Sequence, residues 1–535
     1  MTTPLAGLKF LIVDDLGPMR SALRRIVEEL PGASVDLASE GEEALVQIGA
    51  RAYDVVLCDY NLGDGKDGQQ VLEEVRHRRM IGLASVFLMI TAEAQRPLVL
   101  GALEYQPDDY LLKPVVKDVA LRRIWRAICK RRDFAPLDQA IEAGDYARAI
   151  AFCDQQSAQA PQQARDLLRI KADLCISTGD YAQAEALFRE VLRERDYPWA
   201  RFGLGRIGVL RQQYVEAQAL LNALIVDNHC FLEAYDWLAT ALEAQGHSVE
   251  AQAALEKAIE LSPKSVRRQR RLGELAMRNG QPDVAERAFR RAMREGRESC
   301  FAGSAEYLRL FDLLAAQQSS ASVIVLRDGR MALRKNPDEE LRVAVAQVFV
   351  YVERALPYDA KRFLRQALEI YENCSPALPI EAVVELARAC FALGEIDTGM
   401  ALLKNAVREA YDNPAIVESV AALLREFKVD QDCNELVEQS RKEVVQLNNR
   451  GVKLFEQDRD EEAAALLTQA ADGLPRNRTV NLNAVKILLN LMMRRGRNET
   501  YLRQVCKYLE RLRALDERSE QFQQVQRVYR ELLAA

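Results

Sequence analysis

The first 131 residues alternate between short apolar runs and longer stretches with apolar residues at helical spacing. The apolar runs are Leu8–Val13, Ser34–Ala38, Val55–Cys58, Ser85–Ile90 and Tyr110–Leu112. The helical stretches are Met19–Leu30, Glu42–Ile48, Gln69–His77, Pro97–Leu103 and Val115–Lys130. Buried strands that alternate with helices indicate a parallel sheet covered on both faces. Residues 1–131 are therefore predicted to form an α/β domain with a doubly wound, five-stranded parallel sheet.

From residue 132 onward the apolar spacing is helical throughout, and the sequence repeats itself. Segments such as GDYARA at Gly144 and GDYAQA at Gly179 recur, and each ends in an alanine. The five alanines are 35, 33, 34 and 34 residues apart: Ala149, Ala184, Ala217, Ala251 and Ala285. An apolar residue stands four positions after each of them. This period predicts helix-turn-helix units over 132–300 that stack into an all-α superhelix.

Residues 301–535 continue the helical spacing with fewer landmarks. The register of the repeat returns at Gly399 and again at Ala463. Breaks at 317–322, 335–337 and 356–357 leave two interpretations open: degenerate repeats, or a helical insertion that redirects the superhelix. Residues 434–455 are predicted to form one long helix, and residues 517–533 a capping helix with a polar outer face.

Composition narrows the classes of function. The chain has 535 residues, 49% hydrophobic and 28% charged, enough for several globular cores, and its net charge of −6 gives no overall attraction to nucleic acid. Ten scattered cysteines and three histidines favour reduced thiols over a disulfide framework or a zinc site. The N-terminus lacks signal-peptide features, and no apolar run is long enough to cross a bilayer. We expect a soluble, cytoplasmic protein.

Functional side chains follow four of the five predicted strands. Asp14 and Asp15 end the first strand, Asp59 the third, Thr91 the fourth and Lys113 the fifth. Because functional groups collect outside the carboxyl ends of parallel strands, these side chains are expected in one crevice. Three carboxylates there need a compensating cation, and Mg²⁺ takes oxygen ligands while leaving positions for water or substrate. A carboxylate can accept a phosphoryl group, and the ammonium and hydroxyl groups suit phosphoryl oxygens.

This set of residues resembles the receiver domain of two-component response regulators. The family has an acid pair after strand 1, an acceptor Asp after strand 3, Thr or Ser after strand 4 and Lys-Pro after strand 5. The resemblance implies a flavodoxin-like fold, phosphorylation of Asp59, and Mg²⁺ bound by Asp14, Asp15 and Asp59. It also implies a phosphoryl donor, either a histidine kinase, a phosphotransfer protein or a small phosphodonor. The loop after Asp59 departs from the family, with Gly63 in place of the usual proline and one extra residue.

The resemblance further implies a conformational switch. Thr91 would move toward the phosphoryl group while Tyr110 turns inward, which reshapes the surface of the fourth helix, fifth strand and fifth helix. Asn61 and Glu93 stand where the family tunes loss of the phosphoryl group, and they predict a short-lived phosphoryl state. Thr91 and Lys113 would assist Asp59 in the only catalysis expected, phosphoryl transfer to Asp59 and hydrolysis from it.

The helical repeat resembles the tetratricopeptide repeat. That resemblance implies a concave groove, lined by the first helix of each pair, which holds a peptide or helix of a partner protein. Together the two regions suggest a phosphorelay response regulator. Phosphorylation of Asp59 would gate protein binding by the repeat array, and the chain would act as a signalling adaptor.

Two other functions stay open at this point. Arginine runs at 266–271 and 492–497 would serve a nucleic-acid effector, although no nucleic-acid-binding module is recognisable and solvated helix faces commonly carry arginine. Alternatively, the receiver docks a kinase or acts as a phosphate sink without gating the array. The sequence does not decide whether the protein forms a homodimer.

Overall fold

The structure is a computed structural model that describes residues 7–92, 105, 107–161, 163–319, 321–374, 378–411, 413–429, 433–457, 459–516 and 519–534. The chain divides into two compact units, Met1–Leu313 and Leu314–Ala535. Within the described ranges, no helix is both long enough and apolar enough to span a membrane. The helix expected at 97–103 lies outside the described residues, and so does Glu93.

A five-stranded parallel sheet opens the first unit. Its strands are Lys9–Val13 (β1), Ser34–Ala38 (β2), Val55–Asp59 (β3), Val86–Thr91 (β4) and Asp109–Leu112 (β5). The strand order is β2-β1-β3-β4-β5, so β3 lies at the centre between β1 and β4. Every residue of β3 and β4 is buried, as expected for strands that helices cover on both sides. The predicted doubly wound fold is confirmed.

Helices pack on both faces of this sheet. They are Gly17–Glu28 (α1), Gly41–Ala50 (α2), Gly68–His77 (α3) and Lys117–Arg131 (α4). Successive residues of β1 divide between two apolar clusters, since side chains alternate across a strand. Leu11 packs with residues of α2 and α3, while Phe10 and Ile12 pack with residues of α1 and α4.

The first unit continues as antiparallel helices after a short 3₁₀ turn, Arg132–Phe134. They are Ala135–Glu142 (α5), Tyr146–Gln159 (α6), Ala164–Ser177 (α7), Tyr181–Glu194 (α8), Pro198–Leu210 (α9), Tyr214–Asp227 (α10), Leu232–Ala244 (α11), Ser248–Leu261 (α12), Val266–Arg278 (α13), Pro282–Gly296 (α14) and Ala305–Ala316 (α15). The division between the two units falls within α15.

The turns inside the repeats need a left-handed backbone. Four of them use glycine with φ between 68° and 82°, at Gly144, Gly179, Gly246 and Gly280. The equivalent position of the third repeat is Gln212, whose φ of 62° is unfavourable for a residue with a side chain. The five alanines that define the period are all fully buried. Their small side chains let the paired helices approach closely.

The second unit is helical in all its described parts. Its helices after α15 are Ala321–Ala332 (α16), Pro337–Glu353 (α17), Pro357–Cys374 (α18), Ile380–Ala392 (α19), Ile396–Ala410 (α20), Pro414–Glu426 (α21), Cys433–Glu456 (α22), Asp460–Gly473 (α23), Arg478–Arg495 (α24), Glu499–Asp516 (α25) and Glu520–Ala534 (α26). The breaks predicted near 317, 335 and 356 fall between helices. The long helix predicted over 434–455 is α22, and the predicted terminal helix is α26.

A glycine paired with a large residue sixteen positions later marks close helix contacts in both units. A Cβ atom added to Gly273 would lie 2.5 Å from the ring of Phe289. The same addition at Gly451 would lie 2.6 Å from the Leu467 side chain. The large residue therefore fills the space that the absent side chain leaves. This pair in the second unit favours degenerate repeats over an unrelated insertion near residue 451.

Candidate functional site

The candidate site lies at the carboxyl edge of the sheet, where β1, β3, β4 and β5 end. Asp59 is the last residue of β3, and Tyr60 N donates to Ile90 O of β4 at 2.8 Å, which fixes the start of the following loop. Asp14 follows β1 directly, and Lys113 follows β5. The central position of β3 places Asp59 between these neighbours. The sequence prediction that they meet in one crevice agrees with this geometry.

Lys113 bridges two of the carboxylates. Its Nζ atom donates to Asp59 Oδ2 at 2.7 Å and to Asp14 Oδ2 at 2.9 Å. The other oxygen of Asp14 accepts the Leu16 N–H at 2.9 Å, so both of its oxygens are engaged. Asp14 and Asp59 are buried, whereas Asp15 is exposed to solvent.

Burial governs the electrostatics of this group. It raises the pKa of Asp59, the nearby charge of Asp14 raises it further, and the bond to Lys113 opposes both effects. Burial lowers the pKa of Lys113, but the two carboxylates outweigh burial, so that pKa is raised overall. The pKa of Asp59 is higher in the folded protein than in the unfolded chain. Ionisation of Asp59 at neutral pH therefore lowers the free energy of unfolding. A further positive charge in the crevice would relieve that cost.

The carboxylates fit a divalent metal. Asp14, Asp15 and Asp59 each offer an oxygen atom, and these atoms all lie within 4.8 Å of one another. Hard cations such as Mg²⁺ take oxygen ligands and keep several waters, which suits a site with one solvent-exposed carboxylate. Receiver domains typically bind Mg²⁺ at such an acidic cluster.

Three further residues that the sequence predicts to act at this site are described by the structure: Thr91, Asn61 and Tyr110. Thr91 is buried at the end of β4, and Asn61 is exposed in the loop after Asp59. The hydroxyl oxygen of Tyr110 is buried and has no hydrogen-bond partner among the described residues, and burial raises its pKa. Movement of Thr91 and Tyr110, and the roles of Asn61 and Glu93, stay predictions.

The loop that follows Asp59 also contacts the helical repeats, which the sequence did not predict. Lys264, between α12 and α13, donates to Asp67 Oδ2 at 2.7 Å and lies 5.4 Å from the ring centre of Tyr60. Burial lowers the pKa of Lys264, but the charge of Asp67 outweighs burial, so the pKa of Lys264 is raised overall. Asp67 also caps α3 by accepting the Gln70 N–H at 2.9 Å. One carboxylate thus fixes both the helix and its contact with the array.

A second group of contacts joins α3 to the segment after α14. Ser299 Oγ donates to Glu73 Oε2 at 2.8 Å, and Lys66 donates to the carbonyl of Glu298. The rings of His77 and Phe301 lie 4.6 Å apart between centroids, with their planes tilted by 60°. We call this surface, formed by residues 60–77 on one side and by 264 and 295–301 on the other, the loop–array contact.

The sheet domain also contacts the start of the helical repeats. Asp138 of α5 accepts the N–H groups of Leu83 and Ala84 at 2.7 and 2.9 Å, just before β4. Phe134 is completely buried among Leu83, Ala84 and residues of the first repeat. The sheet domain therefore touches the array both at α5 and after α14.

The arginine run at 266–271 differs from its expected position on a solvated face. Arg268 is buried, and its guanidinium makes two bonds to Asp236, at 2.8 and 2.7 Å. Arg270 pairs with Glu306 at 2.8 Å, and Arg267 remains exposed. Asp236 and Glu306 come from the neighbouring helices α11 and α15, so the run mainly bridges successive repeats.

Comparison with known proteins agrees with this geometry. The model of the response regulator receiver domain matches residues 10–125. Tetratricopeptide-repeat models match residues 140–196, 176–229 and 238–299. Residues 10–125 are a response-regulator receiver domain, and tetratricopeptide repeats follow it over residues 140–299.

Curated relatives match about a quarter of the chain. The transcriptional regulatory protein TcrA of Mycobacterium tuberculosis is 33% identical over 141 residues, 26% of this chain and 53% of that protein. The transcriptional regulatory protein DltR of Streptococcus agalactiae is 33% identical over 117 residues, 22% of this chain and 50% of that protein. The chain thus spans about half the length of these curated relatives. A CheY-like receiver structure from Methanospirillum hungatei is 26% identical and covers 23% of this chain and 95% of its own, with a TM-score of 0.22.

We predict that Mg²⁺ stabilises the receiver through the three carboxylates. Added Mg²⁺ should raise the melting temperature of the wild-type protein, because it compensates charges that burial makes costly. Asp15→Asn should remove most of this shift, since it deletes the exposed ligand without opening a cavity. The readout is thermal unfolding at increasing Mg²⁺.

Asp64→Asn is the matched control, because Asp64 is an exposed carboxylate of the loop after Asp59 that is not part of the cluster. It should keep the full shift. An equal Mg²⁺ response in Asp15→Asn and the wild type would show that the metal binds elsewhere.

Proposed function

We propose that this protein is a phosphorelay response regulator whose repeat array binds a partner protein under control of the receiver. The observation that carries the proposal is the arrangement of Asp59. It is a buried carboxylate bonded to Lys113, next to two further carboxylates, and the loop that follows it is bonded to the array. The acceptor position and the repeats are therefore parts of one connected unit.

Phosphoryl transfer follows from the chemistry of the crevice. A carboxylate oxygen of Asp59 attacks the phosphorus of a phosphohistidine donor, and the bond from phosphorus to the donor nitrogen breaks. The freed imidazole then takes a proton from solvent. Bound Mg²⁺ would compensate the charge of the incoming phosphoryl group. Lys113 and Thr91 would bond its oxygens, and Asp14, already fixed by Leu16 N–H, would hold its metal-binding position.

The donor and the array's partner are known here only by class. A receiver accepts phosphoryl groups from a histidine kinase or a phosphotransfer protein, and tetratricopeptide repeats bind segments of other proteins. Neither receiver domains nor tetratricopeptide repeats are conventional catalytic domains. The enzymatic activity that we propose is limited to phosphoryl transfer to Asp59 and its later hydrolysis.

We predict phosphorylation at Asp59 from a small phosphodonor. Incubation with acetyl phosphate and Mg²⁺ should add one phosphoryl group to the wild-type protein, measured by intact-mass spectrometry. Asp59→Asn should show no addition, because an amide cannot form the acyl phosphate. Asp64→Asn should be phosphorylated as the wild type is. Undiminished addition to Asp59→Asn would place the acceptor at another residue.

Control of the array is proposed to act through the loop–array contact. Phosphorylation replaces the single negative charge of ionised Asp59 by the roughly two negative charges of the phosphoryl group. Residues 60–67 connect that site to Asp67, Glu73 and their partners in the array. These bonds depend on the position of residues 60–67, so a shift of this loop weakens them. Phosphorylation can shift the equilibrium between the closed and the opened loop–array contact only if it favours one of these two arrangements.

We predict that a phosphoryl mimic loosens the loop–array contact. With beryllofluoride and Mg²⁺, amide hydrogen exchange in residues 295–301 should become faster, because their bonds to α3 open more often. Asp59→Asn should not respond. Lys264→Glu, which places a carboxylate against Asp67, should show fast exchange without beryllofluoride.

Lys257→Glu is the matched control, an exposed lysine of α12 outside the contact. It should behave as the wild type does. If the wild type is phosphorylated normally but exchange in 295–301 stays the same, the receiver does not act on the array, and the phosphate-sink scaffold is the better account.

A further inference from the structure

A cavity of about 710 Å³ lies along the first helices of the later repeats. Its wall carries arginines on one stripe of α13, because residues three and four apart share a helix face. It is lined by Glu243, Arg267, Arg270, Arg271, Glu274, Met277, Arg278, Phe289 and Arg309. All except Phe289 come from α11, α13 and α15, the first helices of consecutive pairs. We call it the arginine cavity.

The positive charges of this cavity exceed its negative ones. Five arginines face two glutamates in its wall. Arg271 and Arg278 share Glu243, with Arg271 bonded at 2.6 Å, and Arg270 is paired with Glu306. Arg267 and Arg309 are both exposed. Neither has an acidic partner within 4 Å in the part of the chain that the structure describes.

The two arginines without acidic partners suit a carboxylate ligand. Arg267 is oriented by the ring of Phe301, with its Cζ atom 5.2 Å from the ring centre. A guanidinium fork can bind a carboxylate through two parallel hydrogen bonds. Arg309 lies on α15, so a ligand that reaches both guanidinium groups would cross from one repeat to the next.

The rest of the wall favours a peptide over a longer polyanion. Met277, which is 38% exposed, offers an apolar surface beside the arginines. Glu243 and Glu274 interrupt the positive surface, so the evenly spaced phosphates of a nucleic acid would meet carboxylates. A pocket of this volume lies within the range of about 300–1,000 Å³ typical of ligand sites.

We propose that the arginine cavity binds an acidic peptide segment that carries an apolar side chain among its carboxylates. This inference rests on the proposed protein-binding role of the array and names the chemistry of its partner. Carboxylates of the peptide pair with Arg267 and Arg309, and the apolar side chain packs on Met277.

The cavity also borders the receiver. Arg267 and Arg271 line a smaller cavity of about 380 Å³ on their other side, together with Tyr105 of the receiver. The Tyr105 hydroxyl donates to Glu73, which is also bonded to Ser299 in the loop–array contact. Arg267 and Arg271 therefore line both the arginine cavity and a cavity that the receiver helps to form.

The test measures peptide binding to the full-length protein by fluorescence anisotropy. The probe is a fluorescein-labelled Asp-Glu-Glu-Leu-Asp-Glu peptide, and the comparison peptide replaces each acid by its amide. Binding is measured with and without beryllofluoride and Mg²⁺. The acidic peptide should bind in at least one state, and the double variant Arg267→Gln/Arg309→Gln should weaken it about tenfold or more.

Arg287→Gln is the matched control, an exposed arginine of α14 outside the cavity. It should leave the affinity unchanged, and circular dichroism should show that both variants are folded. No binding in either state would overturn the inference, as would equal binding of the amide peptide. An oligonucleotide that binds through Arg267 and Arg309 while the acidic peptide does not would overturn it in favour of nucleic acid. Equal peptide affinity with and without beryllofluoride would support the acidic-peptide site but reject its control by the receiver. The two proposals can therefore fail separately.

Discussion

The receiver site depends on the two hydrogen bonds that Lys113 donates, one to Asp14 and one to Asp59. Two buried carboxylates next to a third would repel one another, and burial alone disfavours their ionised forms. The ammonium group reaches both at hydrogen-bond distance and keeps Asp59 available as a carboxylate. Its charge falls short of the three negative charges around it. That deficit is the physical reason to expect a divalent cation and an anionic phosphoryl group to bind together.

The site at Asp59 is connected to the repeats because the loop after Asp59 is short and is hydrogen-bonded at both ends. It starts at Tyr60, tied to β4, and ends at Asp67, which caps α3 and holds Lys264. A change at Asp59 therefore acts on a loop whose far end is part of an ion pair with the array. Glu73 continues the connection, because it is bonded to both Ser299 and Tyr105, and Tyr105 lines the smaller cavity next to the arginine cavity.

Much of this could be predicted from the sequence because it follows from local patterns. Strand and helix periods indicated the sheet, and the ends of the strands indicated which side chains meet at its edge. The alanine period indicated the repeats, since each alanine occupies the same close helix contact. The pair formed by Gly451 and Leu467 carried the same signal into the second unit, but one glycine among irregular repeats is hard to recognise.

The contacts between the receiver and the array had no such signal. Asp67 and Lys264 are 197 residues apart, and neither residue type nor spacing marks them as partners. The arginine run at 266–271 differs from a solvated helix face for a related reason. A run of like charges resembles a solvated helix face, and the carboxylates that bury Arg268 and pair with Arg270 lie on other helices. Tertiary pairing of charges is decided by which helices meet, and one sequence does not show that.

Coupling between the site and the array is most directly tested by the affinity of the receiver for beryllofluoride in the presence of Mg²⁺. Linkage requires that if the phosphoryl mimic weakens the loop–array contact, breaking that contact strengthens binding of the mimic by the same factor. We predict that Lys264→Glu binds beryllofluoride at least about fivefold more tightly than the wild type, which is the lower end of typical coupling factors. Lys257→Glu should bind as the wild type does. Equal affinity in Lys264→Glu and the wild type would contradict the account.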